Sequence, residues 1–230
     1  MGAKDIFMQT EGDAWYRRNR EKVENKNAKS IDYVVEYLDK QRKAGAMQNV
    51  FEGGIELLEI GCSSGYNLKR LSQEFTANCY GIEPSREAVE YGNELYKDLP
   101  ITLQQGTGDA LPYENESMDI VIMGFCMFWM DRKDLLKTYS EIDRVLKTKG
   151  LLIVYDFDTK NPYIRDNVHN SDVYTYKMDY AQLLLSQPHY TLIYKMMYGH
   201  EIEGFDDRMQ ERMSLQIIYK EEIEDVYIRA

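Results

Sequence analysis

Three acidic side chains and one loop of small residues are the groups in this chain whose types and spacing can do chemistry together. The loop is Glu59-Ile60-Gly61-Cys62-Ser63-Ser64-Gly65. It follows an apolar run and precedes Leu68, Leu71 and Phe75, which recur at helical spacing. That pattern predicts a buried strand, a tight turn and a helix. With so little bulk, the turn lets a ligand approach its backbone closely. Glu83 ends a second apolar run that starts at Cys79. A carboxylate at such a strand end suits a ribose, because it can accept hydrogen bonds from two neighbouring hydroxyls. Asp109 follows a third run, in Gly106-Thr107-Gly108-Asp109-Ala110-Leu111-Pro112. Ionised, it is another pure acceptor; the plainer reading is an Asx-type turn between strands.

Two common nucleotide sites do not match the loop. A phosphate-binding loop needs lysine directly after its last glycine, where Tyr66 stands. A dinucleotide loop needs Gly-x-Gly-x-x-Gly. Ser63 and Tyr66 occupy the second and third glycine positions. A tyrosine there obstructs both close helix packing and the approach of a pyrophosphate.

The elements that must position these groups follow from the rest of the chain. Its 230 residues suit one α/β domain with additions. A formal charge of −11 and the lack of a basic stripe argue against nucleic acid as a partner. Cys62, Cys79 and Cys126 are widely spaced. They predict reduced thiols in a cytoplasm, not a disulfide frame, a zinc site or an iron–sulfur cluster, and no metal is expected. Neither a signal peptide nor a membrane span is expected, since the longest apolar run, Ile120 to Met130, is too short.

Residues 11–29 are polar around the island Trp15-Tyr16-Arg17-Arg18-Asn19. They predict a helix outside the core, either a lid that excludes water or a segment that merely docks Trp15. Residues 30–45 form a better helix, with Ser30 as its cap and Ile31, Val34, Val35 and Leu38 as its apolar stripe. Strands are expected at Ile55–Ile60, Cys79–Glu83, Ile101–Leu103, Ser117–Gly124 and from about Gly150 to Asp158. Helices start at Pro84-Ser85 and at Asp131, which is expected to cap the second of these. Tyr190–Tyr198 and Met213–Tyr219 alternate as two final strands.

Glu59-x-Gly61-x-Ser63-x-Gly65 resembles the first motif of class I S-adenosylmethionine-dependent methyltransferases, usually Asp/Glu-x-Gly-x-Gly-x-Gly, with Ser63 as the departure. Glu83, the Gly108-Asp109-Ala110 stretch, the Met118-Asp119-Ile120-Val121 strand and Arg144-Val145-Leu146-Lys147 before Gly150 also resemble that family, in the right order. The resemblance covers about residues 55–156. It implies an α/β, Rossmann-like, doubly wound sheet of seven mostly parallel strands, with a C-terminal antiparallel addition and N-terminal helices. It further implies a single domain over 1–230, with a cap at 1–45, a cofactor core at 55–156, and an acceptor-side insert with closing strands at 157–230. By the same resemblance the cofactor is S-adenosylmethionine, packed on the loop of Glu59, Gly61, Ser63 and Gly65. Glu83 would hold the ribose, Asp109 the adenine amino group and the Ala110 N–H a ring nitrogen. Phe125 would wall the cofactor, and Tyr16 and Asn19 would cover it.

On the acceptor side, His169 is the candidate proton acceptor, with Asp156 as its partner or substitute. Lys177 is a candidate for an anionic group on the acceptor, and Tyr180 for a hydrogen bond to it. His189 and His200 receive no role. The stretches Gln9 to Tyr16 and Tyr176 to Tyr180 more loosely resemble small bacterial methyltransferases of surface-polysaccharide (capsule) pathways. The expectation is methyl transfer to oxygen on a small polar metabolite, possible phosphorylated or nucleotide-linked acceptors included. Two rivals remain at this point: an NAD-dependent oxidoreductase or epimerase, and a non-catalytic protein that keeps the cofactor fold. A monomer and a homodimer are equally open.

Overall fold

The computed structural model describes residues 1–25, 29–199 and 204–227. His200 lies outside them. Five strands come first: β1 (Glu56–Ile60), β2 (Asn78–Glu83), β3 (Ile101–Gln105), β4 (Met118–Gly124) and β5 (Leu146–Phe157). Two short strands follow, β6 (Tyr163–Asp166) and β7 (Tyr174–Lys177), then the long β8 (Tyr190–Gly199) and β9 (Arg212–Lys220). One seven-stranded sheet has the order β3-β2-β1-β4-β5-β9-β8. β1 to β5 run parallel to one another, and β9 runs antiparallel between β5 and β8. This is a Rossmann-like, doubly wound α/β fold. The single reversed strand sits one place in from the edge.

The sheet is apolar on both faces, so its strands read as continuous hydrophobic runs. Leu57, Ile120, Ile122, Leu151 and Ile153 face one layer of helices. In that layer are α3 (Lys29–Lys43), α5 (Tyr66–Phe75) and α6 (Arg86–Leu95). Leu58, Val121, Met123, Leu152 and Val154 face α7 (Arg132–Val145) and the short α8 (Gln182–Leu185). The alternation along each strand gives each layer its own core. The chain runs outward from β1 to β3, then crosses back to lay β4 on the other side of β1. That reversal opens a crevice beyond the carboxyl ends of β1 and β4, where such sheets bind ligands.

Two expected caps do other work. Ser30 lies inside α3 and shares a hydrogen bond with the Tyr198 hydroxyl at 2.7 Å. Asp131 precedes α7, but its carboxylate accepts the Ala3 N–H at 2.9 Å. The N-terminal helix is also longer than its polar core suggested. It starts as α1 (Ala3–Ile6), widens through a π-helical turn (Phe7–Glu11) and continues as α2 (Gly12–Asn25). A short α4 (Gln48–Phe51) precedes β1, and α9 (Ile223–Val226) follows β9. The insert after β5 is a β6–β7 hairpin, a separate two-stranded antiparallel sheet. Among the described residues, no helix is long and apolar enough to cross a membrane.

Candidate active site

β1 ends at Ile60 and the chain turns sharply. Gly61 has φ +77°, Ser63 +50° and Gly65 +79°. A Cβ on Gly61 would stand 2.6 Å from the Cys126 Cβ, so the close approach of two loops excludes any side chain there. Ser63 carries the left-handed conformation without being glycine. This costs about 1–3 kcal/mol and is a strain typical of ligand sites. Glu59 lies beneath the turn, fully buried. Its Oε1 accepts hydrogen bonds from Asn67 Nδ2 at 2.8 Å and from the Tyr155 hydroxyl at 3.0 Å. The Tyr155 ring fills the place of the missing Cβ of Gly124, at 2.0 Å. Glu59 therefore ties β1, α5 and β5 together.

Glu83 ends β2 with its carboxylate aimed back across the turn. Oε2 accepts the Ser63 N–H and Oε1 the Ser85 N–H, both at 2.9 Å. Burial pushes its pKa up to about 7, against the pull of those two amides. Each oxygen keeps a lone pair for a further donor. Asp109, after β3, accepts the Lys4 ammonium at 2.8 Å and the Thr107 hydroxyl at 2.7 Å. Burial would raise it, but these two bonds hold it below the ordinary aspartate value.

Gly61, Glu83, Asp109 and Phe125 face one hollow of about 820 Å³, counting the space open at its mouth. Ile60, Ile82 and Trp129 supply apolar wall, and Lys4, Phe7 and Trp15 form its roof. Phe125 is placed by a second strained residue, its own φ of +49°. The roof is anchored at both ends. Asp13 accepts the Ser85 hydroxyl at 2.7 Å and the Glu87 N–H at 3.1 Å, and Arg17 pairs with Glu87. At the other end Ala3 meets Asp131. Beside it, Ala3 and Ile6 pack with Val173, Phe7 and Trp129 in a small apolar cluster of their own.

Other expected site residues stand elsewhere. Ser63 and Gly65 shape the turn without lining the hollow; Ser63 contributes its N–H to Glu83 and has a buried hydroxyl with no partner. Ala110 is exposed, and its N–H closes a turn onto the Thr107 carbonyl at 3.3 Å, so it is already engaged. Tyr16 is buried against Tyr91 of α6, ring centres 6.5 Å apart, and it is Trp15 that reaches the hollow. Asn19 donates back to the Trp15 carbonyl at 2.9 Å.

The acceptor side needs more correction. His169 is exposed in the β6–β7 connection and does not line the hollow. Its neighbour Asn170 points to Glu11, which leaves the imidazole outside. Asp156 is 2 % exposed, and burial pushes it up to about 7. Yet its carboxylate accepts the Met127 N–H at 3.2 Å and the Phe157 N–H at 2.7 Å, beneath the 3₁₀ turn Met127–Trp129. It holds that turn in place and is sealed from the hollow by it. Tyr180 is also structural: its hydroxyl donates to the Tyr176 carbonyl, and its own carbonyl accepts from Tyr139. Lys177 is buried over the Phe157 ring.

Several lining residues were missed. Asp131, Asp134 and Thr138 reach the hollow from the start of α7. Their spacing does place them on one helix face, so that signal was available. Lys4 and Phe7 precede the polar stretch read as the lid, and only the tertiary docking of α1 brings them in. Among the described residues, no group of three or more His, Cys, Asp or Glu is arranged to hold a metal ion.

The donor set fits an adenosine-bearing sulfonium. Two carboxylates with free lone pairs, apolar walls for a flat base, and a side-chain-free turn at Gly61 all face the same space. Comparison with known proteins agrees in fold. Residues 58–154 match the family model described as a methyltransferase domain. A sterol 4-C-methyltransferase of Caenorhabditis elegans is 22 % identical over 182 residues, 75 % of this chain and 48 % of that protein. A demethylmenaquinone methyltransferase of Symbiobacterium thermophilum is 31 % identical over 135 residues, 55 % of this chain and 51 % of that protein. The chain thus spans about half the length of these curated relatives. Among solved structures, the 1,6-didemethyltoxoflavin-N1-methyltransferase of Burkholderia thailandensis, with 1,6-didemethyltoxoflavin and S-adenosylhomocysteine bound, superposes with a TM-score of 0.71. It covers 95 % of this chain and 89 % of that one at 11 % identity.

Proposed function

We propose that this protein, built around the methyltransferase domain at residues 58–154, is an S-adenosylmethionine-dependent methyltransferase acting on oxygen of a small polar metabolite. The observation that carries this reading is the convergence of Glu83, Asp109 and the Gly61 backbone on one hollow. Glu83 accepts from the ribose hydroxyls. Asp109 accepts from the adenine amino group, alongside Lys4. Gly61 leaves room for the methionine part. Bound there, S-adenosylmethionine supplies an electrophilic methyl carbon on a sulfonium.

The chain's own contribution is position and dryness. Phe125 and Trp129 wall the reacting end, and the roof of Lys4, Phe7 and Trp15 excludes water. Aligning two reactants contributes about 7–11 kcal/mol, whereas a general base gives about 10²–10⁴-fold. Orientation is the larger effect, so the displacement of His169 and Asp156 from the hollow removes their proposed proton transfer and leaves the reaction class intact. The methyl–sulfur bond would break as the methyl–oxygen bond forms, with S-adenosylhomocysteine as the leaving group, and the acceptor proton passes to water at the open mouth of the hollow. The looser resemblance adds an acceptor class, nucleotide-linked or phosphorylated precursors of a surface polysaccharide; the widely spaced cysteines favour the cytoplasm, and the length favours a single domain.

Calorimetry with S-adenosylhomocysteine and with NAD tests the cofactor. Binding of the first alone is expected, and Asp109→Ala should weaken it about tenfold by removing one charge-assisted bond. Strong binding of NAD with none of S-adenosylhomocysteine would sink the reading. Saturation with S-adenosylmethionine but no methylated product across a panel of phosphorylated and nucleotide-linked sugars would favour a binding protein instead.

A further inference from the structure

Lys177 is a buried charge that the fold does not use. The other buried lysine among the described residues is satisfied by protein oxygens. Lys220 donates to the carbonyls of Asp143 and Leu146 at 2.6 and 3.0 Å. Even the more exposed Lys195 lies between Asp158 and Asp179, at 2.6 and 3.1 Å. Lys177 is 4 % exposed, yet among the described residues its ammonium has neither a carboxylate nor a carbonyl partner. It meets ring faces instead: Nζ is 3.6 Å from the centre of Phe157 and 5.7 Å from that of Tyr163. Glu211 and Asp156 act on it only through space, and Arg165 opposes them. Burial lowers its pKa. An ammonium largely withdrawn from water without a protein oxygen partner is costly, and ring faces offset only part of that cost.

Its position gives the charge a use. β7 carries Lys177 against the end of β5, where Phe157 stands edge-on to Phe128 at 5.3 Å and to Phe125 at 6.4 Å. Phe125 is a wall of the hollow. Two aromatic rings, Phe157 and then Phe125, therefore lie between the ammonium and the space assigned to the reacting methyl group.

We propose that Lys177 binds an anionic oxygen group, phosphate or carboxylate, on the methyl acceptor, so that the acceptor carries a negative charge at one end and its nucleophile at the other. This rests on the reading of the hollow as the cofactor site. The oxyanion supplies the partner that the fold withholds, and Phe157 keeps the rest of the molecule directed at Phe125. The same geometry disfavours neutral acceptors, which would leave the ammonium unpaired.

The test is calorimetric titration of inorganic phosphate and, separately, acetate into protein saturated with S-adenosylhomocysteine. At least one anion is expected to bind in the millimolar range, and the two arms tell phosphate from carboxylate. Lys177→Met should weaken that binding about 10- to 100-fold, the range of a charge-assisted bond. Lys97→Met, on the exposed stretch after α6, should leave it unchanged. Equal anion binding by wild type and Lys177→Met, equal weakening by Lys97→Met, or no binding of either anion to wild type would each overturn the proposal. Unmodified protein provides a second readout: the Lys177 side-chain ¹⁵N resonance should move on addition of the bound anion, and a resonance that stays put counts against the site. S-adenosylhomocysteine affinity is measured alongside. If it is absent while anion binding still depends on Lys177, the cofactor reading falls, the anion site at Lys177 stands, and its assignment to a methyl acceptor is overturned.

Discussion

Glu83 at the end of β2 and Asp156 at the end of β5 are close counterparts with opposite fates. Each is a buried carboxylate at the carboxyl end of a parallel strand. Each accepts backbone N–H groups from the chain around it, and burial pushes each up to about 7. Glu83 nevertheless faces the hollow, while Asp156 is shut beneath the turn Met127–Trp129. The difference lies in what the following chain does. After Glu83, Pro84-Ser85 leads directly into α6, and the roof crosses above with the hollow beneath it. After β4, the chain folds over the end of β5 before entering α7. A strand-end carboxylate is thus a binding group only if no neighbouring loop claims it.

The largest effect that separates the two is on cofactor affinity. Glu83→Gln should weaken S-adenosylhomocysteine binding about 10- to 100-fold, since a charged acceptor for the hydroxyls is lost. Asp156→Asn should change that affinity less than about threefold. It should instead cost about 1–3 kcal/mol of stability, because one of the buried N–H groups then faces an amide nitrogen. Similar affinity losses in both variants, measured by calorimetry, would break the contrast.

Next comes pH. Hydroxyl donors favour the ionised Glu83, so binding must expel a proton wherever the free carboxyl is protonated. With that carboxyl at about 7, affinity should fall about tenfold between pH 8 and pH 6 and stay nearly flat in Glu83→Gln. Stability of the free protein should move the opposite way. A carboxyl raised from 4.5 to about 7 by folding gives its full contribution below 4.5 and loses it as pH rises through about 7. Chemical denaturation across that window, with and without S-adenosylhomocysteine, would show the two slopes.

A smaller effect sits in the turn itself. Ser63→Gly should stabilise the protein by about 1 kcal/mol, through relief of the left-handed strain, and raise Tm by about 2–4 °C. A drop in Tm would mean that the serine hydroxyl has a partner that outweighs the strain. The smallest effect is at His169: alanine there should leave turnover within about twofold of wild type, as expected of an exposed residue away from the chemistry. A loss of tenfold or more would bring the β6–β7 connection back into the reaction.

How much of this was legible depended on whether a residue's role was set locally. β1, β2, β3, β4, β5, β8 and β9 all fall where apolar runs and turn residues put them, within a few residues. Glu83 and Gly61 were readable for the same reason, being defined by a strand end and the turn beside it. Asp109 was readable as a strand-end acceptor, although its Lys4 partner was not. The reverse holds where roles depend on distant chain. Lys4 and Phe7 become site residues only because α1 docks on Asp131. Tyr16 and Trp15 are adjacent, and the docking angle of α2 alone decides which one reaches the hollow. Asp156, Tyr180 and Ala110 have the right chemistry for a site, but local backbone groups had already engaged them. Chemistry-capable residue types cannot reveal that kind of engagement.

The cluster of Ala3, Ile6 and Val173 with Phe7 and Trp129 belongs to neither of the two large cores. Its parting would expose only a handful of side chains, far fewer than unravelling the sheet. Amide protons of α1 should therefore exchange with deuterium through brief local openings, while those of β4 wait for global unfolding. A molecule built this way can admit and discharge its nucleoside at the threshold without ever loosening its foundation.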